Sequence, residues 1–472
     1  MADDPTAAEA AGAKALGTAA LTDRATNPAA VLGPGDRALG QKPVKAAPAA
    51  APAGVPITAD EFRDRLMGML LFGAFGDAYG AAHERSGLDG LIAADLSTTE
   101  LRPYASYDRR TTSEPFGVWP VPVDKTERGL VTDDTGVRVM LLHQWLHALL
   151  HPVSPELAYL IGLFRPRESA FESWLNMMKA EPSGTPPAAY ATVLGARKLV
   201  IADLLCWLDN AHRYQATPSG FVTTNCTTRF WAKDTPVVFG QFLYLELAAI
   251  YACCDRAAVM TEFQQFSVLD QGSAKFATGM LAAVLSQAFA AKSGSNFKDF
   301  FTKQIDELLA DPTAPADLKD QWAKGSKVGK DRVGLPLKDV LEAIKSELYD
   351  PRAPASAPGG LGKFHPALFL AQMAAAVQYG EGKPKETLAV LAFGIGDADT
   401  IPAQLGSIIG AFFGEKALRA AGLGPDLDLI QKRVETYFAA SDRPGACDPL
   451  KFTDIVDTLQ AHAGLHGCCR YP

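Results

Sequence analysis

Apolar residues recur at intervals of three and four along most of the chain after residue 57, the spacing that places them on one face of an α-helix. The alternating pattern of a half-buried strand is scarce. Several segments, such as LMGMLLFGAFGDAYGAA and IPAQLGSIIGAFFG, are apolar on nearly all sides, which is typical of helices buried inside a globule. The pattern therefore predicts an all-α fold, a compact multi-helix globule.

The pattern also divides the chain into parts. The first segment is rich in Ala, Pro, Gly and Thr and poor in large apolar side chains, so we expect it to be disordered. In ITADEF, Thr58 and Glu61 form a capping-box pattern, which predicts the start of a helix. A polar stretch containing Pro and Gly is expected to be an insertion with one short helix. The predicted parts are a tail over residues 1–56, a helical domain over 57–445 with the insertion at 311–362, and a C-terminal extension over 446–472.

Composition narrows the function classes. The net charge of −8 provides no basic field for nonspecific nucleic-acid binding. No apolar run reaches the length of a membrane-spanning helix. The seven cysteines are odd in number and include the adjacent pairs Cys253–Cys254 and Cys468–Cys469, which favours reduced thiols over a disulfide framework. We therefore expect a cytoplasmic monomer that binds neither membranes nor nucleic acid.

Carboxylates stand in an apolar context at three places. In GAFGDAYGAAHE, Asp77 and Glu84 are seven residues apart and share one helix face if the helix continues that far. In GLVTDDTGVRVMLL, Thr132 is the expected N-cap, which places Asp133 and Asp134 in the first helical turn. Either motif alone is typical of ordinary helix structure and capping.

The third motif, GIGDADTIP, carries Asp397 and Asp399. Two residues apart, they point to opposite sides of a regular helix, so they converge only in the turn that precedes one. Pro402 indicates that a helix begins there, because proline is favoured in the first turn. The following glycines form a smooth face for tight packing: Gly406, Gly410 and Gly414.

Taken together, the three motifs predict a cation site. Buried carboxylates need a compensating partner, and carboxylate and hydroxyl oxygens suit Mg²⁺ or Mn²⁺ better than zinc. An aspartate-based phosphatase also carries a DxD motif, but that motif needs a preceding strand, whereas helices flank this one. His143, His147 and His151 have a spacing that can chelate zinc, although an ordinary helix face is the simpler interpretation.

In this order, GMLLFGAFGDAYGAAHE, VTDDTGVRVML and GIGDADTIPAQLGSIIGAFFG resemble the signature blocks of the ADP-ribosylglycohydrolases, over about residues 62–440. The resemblance implies a compact all-α domain with two divalent cations, Mg²⁺ or Mn²⁺, in a central cleft. It also implies an enzyme that hydrolyses the glycosidic bond of ADP-ribose on a modified protein, with Glu84 and Asp133 as the catalytic residues that move protons. The metal ligands it implies are Thr132, Asp133, Asp134, Asp397, Asp399 and Thr400.

A second interpretation keeps the same fold with another role. The family's middle block, a glycine-asparagine-glycine loop, has no matching string here, and VTTNCTTRFWAKDTP with Asn225 and Arg229 is the nearest counterpart. A chain altered there suits an immunity-type protein that binds and neutralises an ADP-ribosyltransferase or toxin, with or without hydrolysis. The expected partners are therefore an ADP-ribosylated protein and, in the second interpretation, an ADP-ribosyltransferase.

Overall fold

Helices form nearly all of the described structure, as the hydrophobic pattern predicts. No extended strand occurs among the residues that the structure describes, so the all-α class is confirmed. Apart from Ser441, the described residues belong to one unit, built from residues 47–142, 234–440 and 449–472. The computed structural model describes residues 57–81, 101, 128–132, 134–135, 138–139, 142, 241, 245–266, 270, 272–348, 365–393, 397–441 and 451–465.

The helices are numbered in chain order. A 3₁₀ helix spans Leu245–Tyr251, and π-helical turns follow α6 at Ile344–Leu348 and α10 at Arg419–Leu423. Isolated helical positions occur at Asp134, Thr135, Arg138, Val139 and Leu142. The α-helices are α1 (Ala59–Ala81), α2 (Arg256–Phe266), α3 (Gly272–Ala288), α4 (Phe297–Leu309), α5 (Ala316–Lys330), α6 (Leu337–Ala343), α7 (Pro366–Tyr379), α8 (Pro384–Ala392), α9 (Thr400–Phe413), α10 (Glu415–Leu418), α11 (Gly424–Ser441) and α12 (Phe452–Leu465).

Helices α1 and α9 pack against each other through glycines on both surfaces. A Cβ atom on Gly68 would lie 2.5 Å from the backbone oxygen of Gly410, and one on Gly410 would overlap the backbone oxygen of Gly68. Further along, a Cβ atom on Gly76 would overlap the backbone of Pro402. Residue numbers rise along one helix and fall along the other, so the pair is antiparallel. The last turns of α1 therefore lie beside the first turn of α9.

The N-terminus of α1 follows the predicted capping pattern. The Glu61 N–H donates to Thr58 Oγ1 at 3.1 Å, which is one of the two bonds of a capping box. The last helix also contacts this end of α1, since Arg63 forms an ion pair with Asp457 at 2.9 Å and Gln460 Nε2 donates to the Ala59 carbonyl. The predicted C-terminal extension thus contributes a helix that packs on α1.

The predicted insertion contains more helix than its composition indicated. The sequence favoured one short helix in this stretch, whereas the structure has α5, α6 and a π-helical turn. Helix α5 packs closely on α7, because a Cβ atom on Gly325 or Gly329 would overlap the backbone oxygen of Ala371 or Ala375. Glycine lowers helix propensity, but here it permits this close tertiary contact, which outweighs the propensity. That the stretch is an insertion stays a prediction.

The prediction that the cysteines are reduced is wrong at Cys254. Cys254 is disulfide-bonded, whereas its neighbour Cys253 is a buried thiol. A disulfide requires two sulfur atoms brought together by the fold, and spacing along the chain does not reveal that proximity.

Several predicted features lie outside the described residues. They include the predicted tail over 1–56, the histidines at 143, 147 and 151, and the counterpart of the middle block around Asn225 and Arg229. Within the described ranges, every helix is too short or too polar to cross a membrane.

Candidate metal centre

Asp77 lies fully buried near the C-terminal end of α1, with 0% of its surface exposed. Its Oδ2 accepts hydrogen bonds from the backbone N–H groups of Thr132 and Thr135, each at 3.0 Å. Its Oδ1 accepts from Thr132 Oγ1 at 2.8 Å. The carboxylate of one helix therefore caps the start of the TDDT segment, where N–H groups have no partner within their own helix.

Thr132 makes the bond expected of an N-cap residue. Its Oγ1 accepts from the Asp134 N–H at 3.1 Å, while the same hydroxyl donates to Asp77. This arrangement fixes the backbone of the segment on both sides of position 133. Asp134, only 5% exposed, then directs its carboxylate toward the start of α9.

The start of α9 supplies the remaining groups. Asp399 is the N-cap of α9, and its carboxylate accepts from the Thr400 N–H at 2.9 Å. Thr400 Oγ1 in turn donates to the Asp134 carboxylate, with both oxygens at 3.0 Å. Pro402 lies in the first turn of α9, where a backbone N–H has no partner within the helix. The lack of an N–H in proline therefore does not destabilise the helix there. The two acidic turns are thereby joined through a threonine hydroxyl.

Three carboxylates converge at this junction. Asp77, Asp134 and Asp399 are all buried, and each offers an oxygen that lies within 4.8 Å of the others'. Oxygens on opposite sides of a Mg²⁺ ion bound at about 2.0–2.1 Å are separated by about 4 Å. Three oxygens on one ion cannot all lie opposite one another, so at least two of the three pairs would have to come within about 3 Å. A shared cation therefore requires the carboxylates to move inward. Buried carboxylates repel one another, so this all-oxygen donor set fits a hard divalent cation such as Mg²⁺ or Mn²⁺.

Arg138 and Glu246 form an ion pair next to the carboxylate cluster. Arg138 is 5% exposed, and its Nε donates to the Asp134 carbonyl at 3.1 Å. Its Nη1 contacts Glu246 Oε1 at 2.5 Å, and Glu246 Oε1 also accepts from Ser407 Oγ at 2.8 Å. The contacts connect the TDDT segment, the 3₁₀ helix and α9. A Cβ atom on Gly73 would overlap Ser407 Oγ, so a glycine in α1 leaves room for this network.

Burial dominates the protonation of Asp77. Removal from solvent raises the pKa of its carboxyl above the ordinary value. Hydrogen bonds from Thr135 and Thr132 and the charge of Arg138 oppose that rise. A divalent cation would favour the ionised carboxylate in the same way.

The structure brings together four of the predicted ligands, Thr132, Asp134, Asp399 and Thr400. Asp397 is only partly buried, and the cluster found among the described residues does not include its carboxylate. The Asp397 carbonyl instead accepts from the N–H of Ile401 in the first turn of α9. The two predicted catalytic residues, Glu84 and Asp133, lie outside the described residues.

Sequence reasoning did not assign Asp77 as a ligand candidate, nor did it single out Arg138 or Glu246. The signal for Asp77 was present, because a lone carboxylate in the apolar run FGAFGDAYG needs a buried partner. Arg138 also stands in an apolar helical pattern, four residues after Asp134. Glu246 could not be paired with it, since 108 residues separate the two.

One protein family matches this sequence over most of its length. The sequence model of the ADP-ribosylglycohydrolase family matches residues 58–442, a range that contains every residue of the acidic cluster. A solved structure described as an ADP-ribosylglycohydrolase-related protein complex is similar over 79% of this chain and 99% of its own, with 17% sequence identity and a TM-score of 0.40. No curated protein gives a significant match.

Proposed function

The chain belongs to the ADP-ribosylglycohydrolase family, and we propose that it is a divalent-metal-dependent hydrolase that removes ADP-ribose from a modified protein. Family membership supports a glycohydrolase activity. The observation that carries the metal dependence is the buried convergence of Asp77, Asp134 and Asp399. Three carboxylates at this separation are costly without a cation, because each is removed from water and repels the other two.

The proposed ligands come from both acidic turns and bind two Mg²⁺ or Mn²⁺ ions. When bound, the ions supply positive charge near the ribose and lower the pKa of a bound water. The side chains of Asp134 and Asp399 would bind the ions. The Thr400 hydroxyl fixes the orientation of the Asp134 carboxylate by donating a hydrogen bond to it. The proposed ligand set is Thr132, Asp133, Asp134, Asp397, Asp399 and Thr400, with Asp77 as an added candidate.

In the proposed reaction, the bond between the anomeric carbon of ADP-ribose and the protein side chain breaks. The oxygen of water forms a new bond to that carbon, and the leaving group takes up a proton. We assign the proton transfers to Glu84 and Asp133, from the family pattern, as carboxylates do this work in glycoside hydrolysis. The buried carboxylates of the cluster would offset positive charge on the sugar in the transition state.

The substrate and setting are parts of the same proposal. An ADP-ribosylated protein is the expected substrate, acted on by a monomer in the cytoplasm.

The test of the activity uses Asp399→Asn, because asparagine caps a helix as well as aspartate does but carries no charge. Wild-type protein should release ADP-ribose from an ADP-ribosylated protein with Mg²⁺ and lose this activity in EDTA. The variant should bind Mn²⁺ at least about tenfold more weakly and hydrolyse correspondingly less. The matched control is Asp331→Asn, an exposed aspartate paired with Lys327 outside the cluster.

Two outcomes would contradict the proposal. Unchanged hydrolysis and Mn²⁺ affinity in Asp399→Asn would exclude the metal assignment. If wild-type protein binds an ADP-ribosyltransferase yet releases no ADP-ribose from any modified protein, the immunity-type interpretation replaces the hydrolase.

A further inference from the structure

The ion pair behind the carboxylate cluster is an unusual feature of the core. Arg138 and Glu246 have side chains that are only 4% and 7% exposed. A buried ion pair seldom stabilises a fold more than well-packed apolar residues would, because both charges lose their hydration. A contribution to the stability of the fold is therefore a weak reason for two charged side chains at these positions. Their location relative to the carboxylates gives a better one.

The positive end of the pair is the end nearest the cluster. Arg138 Nε donates to the backbone carbonyl of Asp134, and Nη2 lies 3.4 Å from Thr135 Oγ1. Both contacted residues belong to the segment that Asp77 caps. The negative end, Glu246, lies on the 3₁₀ helix and is held by Ser407 at 2.8 Å. The pair is thus oriented, with its cation toward the three carboxylates.

We propose that Arg138 and Glu246 are positioning residues that set how strongly the carboxylate cluster attracts divalent cations. This inference rests on the proposed metal centre. Arg138 offsets part of the mutual repulsion of the carboxylates and lets the site fold before a cation binds. Glu246 limits that effect, because its carboxylate offsets part of the arginine's field at the cluster. The two residues therefore act on the bound cation with opposite signs.

The opposite effects of the two residues on cation binding distinguish this electrostatic role from that of a structural tether, which only links two segments. Loss of a tether weakens the site whichever partner is removed. An electrostatic role predicts instead that removal of the positive charge strengthens cation binding and removal of the negative charge weakens it. Charge should control the direction of the result, so lysine, which keeps the positive charge but not all the contacts of the guanidinium, should change the affinity less than methionine does.

The experiment measures Mn²⁺ binding to the metal-stripped full-length protein by titration calorimetry, with far-UV circular dichroism as the check of folding. We expect Arg138→Met to lower the Kd by at least about threefold and Glu246→Gln to raise it by at least about threefold. Arg138→Lys should change the Kd less than Arg138→Met does, because it keeps the positive charge but loses some of the contacts of the guanidinium. Glu246→Gln keeps the size and one hydrogen-bond acceptor, but loss of a tether would also raise its Kd. If Arg138→Met does not fold, Arg138→Gln therefore replaces it as the test of sign.

Shifts of both variants in the same direction, or a Kd for Glu246→Gln within about twofold of wild type, would overturn the inference and leave the proposed metal centre in place. Failure of wild-type protein to bind Mn²⁺ would overturn the metal centre and, with it, this inference. Asp399→Asn is the reference for damage to the metal centre itself, because it is expected to weaken Mn²⁺ binding whatever Arg138 and Glu246 do.

Discussion

The hydroxyl of Thr400 donates to the carboxylate of Asp134, with 3.0 Å to each oxygen, although 266 residues separate the two. Both residues are 5% exposed, so water does not substitute readily for this bond. One threonine at the start of α9 therefore ties together the two acidic turns of the candidate site.

Thr400→Val tests that bond, since valine has the shape of threonine without the hydroxyl. The Asp134 carboxylate loses a donor while it remains buried, and a hydrogen bond to a charged group contributes about 1.5–3 kcal/mol. We expect the free energy of unfolding in EDTA to fall by about 2 kcal/mol. Thr400→Ser keeps the hydroxyl and should cost clearly less. Equal stabilities of the two variants in chemical denaturation would contradict the assignment.

Asp77→Asn should loosen the TDDT segment. Asparagine presents an N–H₂ group where Asp77 has one of its two oxygens, so either the Thr135 N–H or the Thr132 hydroxyl loses its acceptor. We expect a loss of about 1–3 kcal/mol and faster amide hydrogen exchange at both threonines. Asp64→Asn is the control on the same helix, because Asp64 accepts from the Lys416 N–H at a more exposed position. Unchanged exchange at Thr132 and Thr135 would refute the capping role.

Stability should depend on pH through His365. This histidine caps α7, since its Nδ1 accepts from the Ala367 N–H at 3.2 Å. Burial lowers its pKa below the ordinary value of 6.5, and Asp317 opposes this only in part. The folded state therefore binds the proton less readily than the unfolded chain. The contribution of His365 to the free energy of unfolding is complete above about pH 6.5, and it is lost as the pH falls through the lowered pKa.

The measurement is the free energy of unfolding at pH 7 and pH 5, compared with His365→Asn. Asparagine caps a helix but does not titrate in this range. Wild-type protein should lose on the order of 1 kcal/mol more than the variant between the two pH values. A variant with the same pH dependence as wild type would show that His365 is not responsible.

Gly410→Ala should separate α1 from α9. The added methyl group would overlap the backbone oxygen of Gly68, and backbone cannot rotate away as a side chain can. We expect the free energy of unfolding to fall by about 1–3 kcal/mol. Mn²⁺ binding should also weaken, because Asp77 and Asp399 lie on opposite helices of the pair. Gly424→Ala is the control, since its nearest neighbour would lie at an ordinary 3.7 Å. In chemical denaturation this control should be neutral or stabilising.

Local features of the site could be predicted from the sequence. Thr132 as an N-cap and Thr58 as part of a capping box depend only on residues within three positions, and both make the expected bond. The turn before α9 followed from Asp397 and Asp399 being unable to share a regular helix face. Glycines after Pro402 indicated close packing for the same local reason.

Long-range relationships could not be predicted in this way. The glycines of α9 did not reveal that α1 is their partner, because a smooth face fits many helices. Asp77 looked like one member of a helix-face pair with Glu84, whereas its hydrogen bonds go to Thr132 and Thr135, 55 and 58 residues away. Arg138 and Glu246 form an ion pair that only the folded chain creates.

The antiparallel pair of α1 and α9 has a consequence for the order of events during synthesis. One helix begins at residue 59 and the other ends at residue 413, so the first leaves the ribosome several hundred residues before its partner. At about 5–20 residues per second, α1 waits for tens of seconds with its glycine face uncovered. A chain interrupted before α9 has Asp77 and Asp134 of the carboxylate cluster and lacks Asp399. In newly made protein the three carboxylates can therefore come together only late, after α9 has been made.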